Sequence, residues 1–261
     1  MAKLNTINFT STKHRICLLI LIVSISALFL AGCKKGNPTN TPTNQPNNNN
    51  QTNPNPTTET TNNLPDTDAK AALDKLLQGN DRYISGNFAP RNLTKAKLAE
   101  LAKGQNPHTI VLTCSDSRVV PELFFDQSVG DLFVIRTDGN VLDKSVVVGS
   151  MEYAAEKLGT TLIMVVGHEN CDAVLTATKE EPATGNKQFI INEIKPALAK
   201  AKAVGVDLVS KTAEENVKLI VANLPKRSEI LTNLINDNKL KIAGGIYSLT
   251  EGKVTIVSDI N

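Results

Sequence analysis

The chain has no tryptophan, three tyrosines and seven phenylalanines in 261 residues, so aromatic residues make up only 4% of it. Its body also lacks a basic excess. Lys3, Lys13 and Arg15 fall in the first 32 residues, which hold no acid, and setting them aside leaves 25 of the 28 basic residues against 26 acidic ones. A near-neutral body without interleaved aromatics supplies neither the phosphate contacts nor the stacking surfaces that nucleic-acid binding needs, and that class is set aside. Thiols and imidazoles are equally scarce. Of four cysteines only Cys114 and Cys171 lie beyond residue 33, and of three histidines only His108 and His168 do. Past the N-terminal stretch there is no apolar run long enough to span a bilayer and no internal repeat. What remains, in a chain 41% hydrophobic, is sized for one substantial domain rather than two.

The N-terminus reads as an address. Lys13, His14 and Arg15 precede an apolar run from Ile16 to Leu30, short for a membrane span but long enough for the core of a signal peptide over residues 1–32. Leu30, Ala31, Gly32 and Cys33 resemble the lipobox of bacterial lipoproteins, which implies lipidation of Cys33 and a body exported to the periplasmic or cell-surface side of a bacterial membrane. The other reading is an uncleaved N-terminal anchor with an incidental Cys33; both tether the body to the membrane. From Asn37 to Pro65 the chain is almost entirely Asn, Thr, Pro and Gln, with Glu59 the single acid. Such a segment buries too little apolar surface to offset its ordering entropy, so residues 33–65 are expected to be a disordered tether spanning on the order of 30 Å. The folded domain is expected over 66–261.

Within that domain, apolar residues at 72, 73, 76 and 77 recur at helical spacing after capping residues at Asp66 to Asp68, and a second helix is predicted over 93–103. Thr109–Thr113, Asp131–Arg136 and Thr161–Val166 read as strands, with a helix over 145–158 between the last two. Further helices are expected over 190–203, over 212–223, the latter ending before Pro225, and over 226–236. The C-terminus reads as a strand over 240–249 and a return over 253–258 around a Thr-Glu-Gly turn. Continuous apolar strands separated by helices predict an α/β fold with a mostly parallel sheet of about four to five strands flanked by helices.

Cys114 follows the first strand, and His168 and Cys171, in an His-x-x-Cys spacing, follow the third. In an open parallel sheet such strand ends share one rim, where ligand sites collect. Two thiolates and an imidazole are three ligands for a tetrahedral zinc with one position left over. Blander readings stand beside this one: a Cys114–Cys171 disulfide, a satisfied His168 at a strand end, and an Asp116–Arg118 surface ion pair.

The Cys-x-Asp-x-Arg pattern of Cys114, Asp116 and Arg118, the stretches 122–127, 131–140 and 149–154, and Gly167–Cys171 together resemble the β-class carbonic anhydrases in order, spacing and wording. The likeness runs from about Leu73 to the C-terminus. It implies one zinc ion per chain on Cys114, His168 and Cys171, with water or Asp116 in the fourth place, and reversible hydration of carbon dioxide to bicarbonate by a zinc-bound hydroxide. Two thiolates make that zinc a weaker Lewis acid than three histidines would, so orientation matters more. Asp116 would orient the nucleophile, and Arg118 would hold Asp116 off the metal. The resemblance further implies substrate contacts from Gln105 and from Phe133 and Tyr153 as an apolar wall, some of them across a dimer interface, hence a homodimer or higher even oligomer.

Two positions depart from the family pattern. Asp172 stands where glycine is usual after the second cysteine, and Asp138 where a small apolar residue is common. Asp172 opens the following helix, where a carboxylate is favoured, and its backbone N–H stays available to substrate. The negative charge is expected to disfavour bicarbonate and slow turnover, and Asp138 to make the pocket wetter. The alternatives kept open are a related zinc hydrolase of carbon disulfide or carbonyl sulfide, and a non-catalytic zinc- or bicarbonate-binding surface lipoprotein.

Overall fold

A computed structural model describes residues 67–260 apart from 92, 144 and 206. The signal peptide expected over residues 1–32, the lipidation expected at Cys33 and the tether expected over 33–65 lie outside the described residues. The chain divides into two units, Met1–Thr58 and Glu59–Asn261, and the described residues belong to the second.

Among the described residues five strands form one sheet: β1 (Thr109–Thr113), β2 (Leu132–Arg136), β3 (Leu162–His168), β4 (Lys241–Tyr247) and β5 (Val254–Ser258), in the order β2-β1-β3-β4-β5. The first four run parallel, and β5 returns antiparallel on β4. Every residue of β1 and β3 is buried, which is why neither shows the polar alternation of a half-exposed strand. Their side chains still alternate between two apolar layers. Ile110, Leu112, Ile163 and Val165 face one cluster, and Val111, Leu162, Met164 and Val166 the other.

The first layer is covered by α4 (Val147–Lys157), α7 (Leu208–Arg227) and α8 (Glu229–Asn236), through residues such as Val148, Met151, Val217, Leu224 and Leu231. The second is covered by α1 (Thr67–Ser85) and the short α3 (Pro121–Phe124), through Leu73, Leu76 and Phe124. Buried Asn80 of α1 ties this layer to the sheet's return, donating to the Phe124 and Gly252 carbonyls and accepting from the Val254 N–H. The remaining helices are α2 (Lys95–Leu101), α5 (Asp172–Thr178) and α6 (Lys187–Lys202). Among the described residues no helix is long and apolar enough to cross a membrane.

The α/β architecture agrees with the expectation, while several element bounds differ by a few residues; three differences have a clear physical reason. The helix predicted to stop before Pro225 continues to Arg227 as part of α7. Pro225 sits in the last turn, where the missing N–H costs one intrahelical bond and the helix ends within three residues anyway. β3 runs two residues past Val166, because Gly167 and His168 pair with Ile246 and Tyr247 of β4. Gly167 lets α7 lie close, since a Cβ there would come 2.8 Å from Val217 Cγ2. The one-turn α3 was not anticipated, being too short for helical periodicity.

The register gathers the rim. Thr113 aligns with Arg136 on one side and Val166 on the other. Cys114, the turn after Arg136 and the last residues of β3 therefore leave adjacent strands at one level. β2 lies on one side of β1 and β3 on the other, so the winding direction reverses there and opens a crevice at the carboxyl ends of the strands.

Candidate metal centre

Cys114, His168 and Cys171 are all buried at this rim, and their ligating atoms lie within 4.8 Å of one another. Both cysteines are free thiols, with Sγ atoms 3.9 Å apart. Two sulfurs on one tetrahedral zinc lie about 3.8 Å apart for Zn–S bonds of about 2.3 Å, whereas a disulfide needs about 2.05 Å. The pair is thus spaced for a shared metal. Apolar residues seat it: Val141, Ala173, Val174, Ile191 and Ile194 pack in one cluster with the two cysteines.

The histidine fits the same reading. His168 Nδ1 lies 2.8 Å from the Glu169 carbonyl, which only accepts, so Nδ1 carries the proton and Nε2 presents a lone pair. Nε2 is buried without a hydrogen-bond partner, one of two such side-chain atoms among the described residues, the other being Asn140 Nδ2. An orphaned buried acceptor beside two thiols calls for a cation. The thiols show the same need. Cys114 is drawn down by the hydrogen bond from Cys171, and Cys171 is pushed up by donating that bond and by burial, so without a cation only one becomes a thiolate. A divalent ion removes the penalty on the second. Two thiolates and one imidazole suit zinc.

Asp116 and Arg118 lie at the edge of the same site. Arg118 Nε donates to Asp116 Oδ1 at 2.9 Å and Nη2 to Oδ2 at 2.6 Å, a bidentate pair, while the Arg118 backbone N–H also reaches Oδ1. This holds the Asp116 carboxyl well below the usual carboxylate range, with the Arg118 hydrogen bond the main cause. Oδ2 is 3.9 Å from His168 Nε2, close enough to reach whatever the imidazole binds.

Cys114, Asp116 and Arg118 line a cleft of about 510 Å³ together with Asp138, Asp172, Leu175 and Val209. Asp138 Oδ1 lies 3.8 Å from Cys114 Sγ. Burial, and then the negative sulfur, push the Asp138 carboxyl above its ordinary value. Asp172 begins α5 and is exposed in the cleft mouth. Both departures from the family pattern therefore face the site.

The other expected contacts are not gathered in this chain. Gln105 lines a separate pocket near the N-terminal end of β1, with Asp131 and Val129. Phe133, half-buried on edge strand β2, packs against the first apolar layer. Tyr153 projects from α4 and is 52% exposed. Sequence reasoning also missed supporting residues. Arg136 donates to the carbonyls of Cys114 (Nε, 3.1 Å) and Asp116 (Nη2, 2.6 Å), bracing the loop that carries both. The Gly139 N–H donates to Cys114 Sγ at 3.3 Å. Both residues fall in the stretch 131–140 that carries part of the family resemblance, but nothing in its residue order shows which atoms meet.

Comparison with known proteins agrees with this geometry. A family model described as carbonic anhydrase matches residues 109–254, a span holding all three ligands. Carbonic anhydrase 2 of Mycobacterium tuberculosis is 34% identical over 197 residues, covering 74% of this chain and 95% of that protein. The carbonic anhydrase of Mycolicibacterium smegmatis is 34% identical over 201 residues, covering 76% and 97%. Among solved structures, the β-carbonic anhydrase CcaA shares 26% identity at a TM-score of 0.58, covering 73% of this chain and 92% of that one. Tetrameric β-carbonic anhydrases from Sordaria macrospora share the fold at 19% identity and a TM-score of 0.58, covering 74% and 96%. With two buried thiols and an orphaned imidazole at zinc spacing inside the matched span, this chain belongs to the carbonic anhydrase family, in its β class.

Proposed function

We propose that the protein is a zinc-dependent carbonic anhydrase, holding one zinc per chain on Cys114 Sγ, His168 Nε2 and Cys171 Sγ and interconverting carbon dioxide and water with bicarbonate and a proton. The observation that carries this reading is the buried, unpartnered His168 Nε2 beside two thiols at metal spacing. Bound there, zinc supplies the Lewis acidity that brings the ionisation of water towards neutral pH. The chain's own part is orientation. Asp116, held ionised by Arg118, is too weak a base to keep a proton near neutrality. It accepts a hydrogen bond from the attacking oxygen and turns a lone pair of that oxygen towards the carbon of carbon dioxide. A C–O bond forms, bicarbonate leaves, and the proton passes to solvent or buffer. Stopped-flow hydration on the zinc-loaded protein tests the assignment; no rate above buffer with zinc bound would sink it. Carbon disulfide and carbonyl sulfide serve as competing substrates in the same assay, and no residue of the cleft favours them or a non-catalytic binding role.

Asp172 is expected to tune affinity for the anion. A unit charge a few ångströms from bicarbonate in a solvated cleft is worth on the order of 0.5–1 kcal/mol. Asp172→Asn should therefore lower KM for bicarbonate about two- to fivefold with kcat for hydration little changed, and steady-state dehydration kinetics decide it. A large rise in kcat would instead mark the aspartate as a brake on turnover.

Two further parts of the reading concern assembly and location. Gln105, Phe133 and Tyr153 lie outside this chain's own cleft, and β2 is a sheet edge, which supports a homodimer or higher even oligomer in which a second copy completes the pocket. The signal-like run to Leu30 and the Leu-Ala-Gly-Cys quartet support export and lipid anchoring at Cys33. The wild-type protein should incorporate a labelled fatty acid in a bacterial host and Cys33→Ser should not; a wild-type protein that takes up no label would refute the lipid anchor.

A further inference from the structure

The glycine that touches the metal-site sulfur has no side chain of its own to hold it. Gly139 lies in a 3-10 turn, Asp138–Asn140, with φ at 62°, a left-handed conformation that disfavours a side chain. The turn is also walled in, since a Cβ on Gly139 would meet Ile194 Cδ1 at 2.9 Å and Ala173 Cβ at 3.0 Å. Both peptide units that flank its Cα are engaged, the following one twice, since its N–H, that of Asn140, also donates to the Thr137 carbonyl at 2.9 Å. The N–H of the preceding unit points at Cys114 Sγ (3.3 Å), and the carbonyl of the following unit accepts from Asn216 Nδ2 at 3.0 Å. Asn216 is 3% exposed on α7, 77 residues further along the chain. Its neighbours Ala213, Val217, Ile220 and Val221 are apolar and buried, so an amide at this place needs a reason beyond packing.

We propose that Asn216 is a positioning residue of the metal centre: by holding the Gly139 carbonyl it keeps the Gly139 N–H aimed at Cys114 Sγ. The inference rests on the zinc reading above. A glycine turns easily about φ and ψ, so a hydrogen bond on one side of its Cα disciplines the other side only if the turn is anchored elsewhere. The Asn140 N–H holds the turn to Thr137 from within the loop, and Asn216 anchors it from outside, fixed in the middle of a 20-residue helix that is packed against β3 and β4. An N–H donated to a thiolate draws electron density from the sulfur. It lowers the sulfur's donation to a bound metal and stabilises the ionised form that metal binding requires. Asp138, on the other side of the same peptide, has the opposite tendency, with a carboxylate oxygen 3.8 Å from the sulfur. Release of the turn changes the balance between these two contacts at Cys114.

Cobalt(II) substitution of the full chain reads this directly, because the thiolate-to-cobalt charge-transfer band reports electron density on sulfur. Asn216→Leu keeps the branching and the number of side-chain heavy atoms without a donor, at somewhat larger volume, and Asn216→Ala removes the group. Both are expected to move the band to longer wavelength and to weaken zinc binding about tenfold or more, the usual size for loss of an outer-sphere partner. Val221→Ala, on the same helix and away from Gly139, should lower the melting temperature and leave the band in place, so a merely structural effect is separable. A band in Asn216→Leu at the wild-type wavelength, with zinc affinity within about twofold, would overturn the proposal; should Asn216→Leu fail to fold, Asn216→Ala is judged by the same rule. A wild-type protein lacking any thiolate-to-cobalt band would instead overturn the zinc reading, and this inference with it.

Discussion

Cys171→Ser is expected to retain on the order of a tenth of a zinc ion per chain or less, and to hydrate carbon dioxide no faster than buffer. Three ligands are the fewest with which a protein keeps a catalytic zinc, and a neutral hydroxyl is a poor substitute for a thiolate. Removal of one sulfur leaves Cys114 Sγ and His168 Nε2, and the Cys114 thiol loses the hydrogen bond that does most to favour its ionised form. The site therefore loses a ligand outright and part of the readiness of the second. Acid should act in the same direction in the wild-type protein, since protons compete with the metal for all three ligands and zinc is released as pH falls. Elemental analysis beside the hydration assay checks both results. One zinc per chain in the serine variant would remove Cys171 from the ligand set.

Arg118→Ala should separate metal binding from turnover. Zinc content is expected to stay at one per chain, because Arg118 touches none of the ligand atoms, while hydration falls on the order of 100-fold, the scale on which a positioned hydrogen-bonding carboxylate contributes. Asp116 now has both oxygens engaged by the guanidinium, and it lies 3.9 Å from His168 Nε2. Without the arginine one oxygen is free to turn towards the metal position and occupy the place that water needs. The change also lets the Asp116 carboxyl return towards its ordinary range, since the Arg118 hydrogen bond is the main cause of its depression. The sign follows: the depressed group favours the folded form above the usual carboxylate pKa, and this contribution fades as pH falls through the folded value. Arg118→Ala should accordingly lose a little stability at neutral pH and none in strong acid. Full activity in this variant would contradict the restraining role.

Much of this site could be read from the chain because each ligand ends or follows an apolar strand. Thr109–Thr113 and Leu162–Val166 announce themselves as buried β-structure, and the parallel winding then sends Cys114, His168 and Cys171 to one rim. Asp116 and Arg118 were visible for a related reason, as polar residues at alternate positions immediately past a strand end. Other parts were not legible. The Glu169 carbonyl that sets the His168 tautomer and the Gly139 N–H are backbone groups, which every residue has. Arg136 acts on carbonyls across a strand pair, and Asn216 acts from 77 residues away. Contacts of this kind depend on register and helix docking, to which local pattern is blind.

The amino-acid order by itself determined which groups are available and where they leave the sheet. Two body thiols, one imidazole beside them and a carboxylate–guanidinium pair follow buried strands, and that selects a soft metal site at a strand rim. What the pattern of apolar and polar residues could not decide is distance, because it fixes faces and ends but not separations between loops. Only the tertiary structure put the two sulfurs 3.9 Å apart, as free thiols suited to a shared ion rather than as a disulfide. Only the docking of α5, α6 and α7 on the rim closed Gly139 between Ala173, Ile194 and Asn216. Sheet register, close packing and the Asn216 hydrogen bond together hold the turn where its N–H meets the Cys114 sulfur.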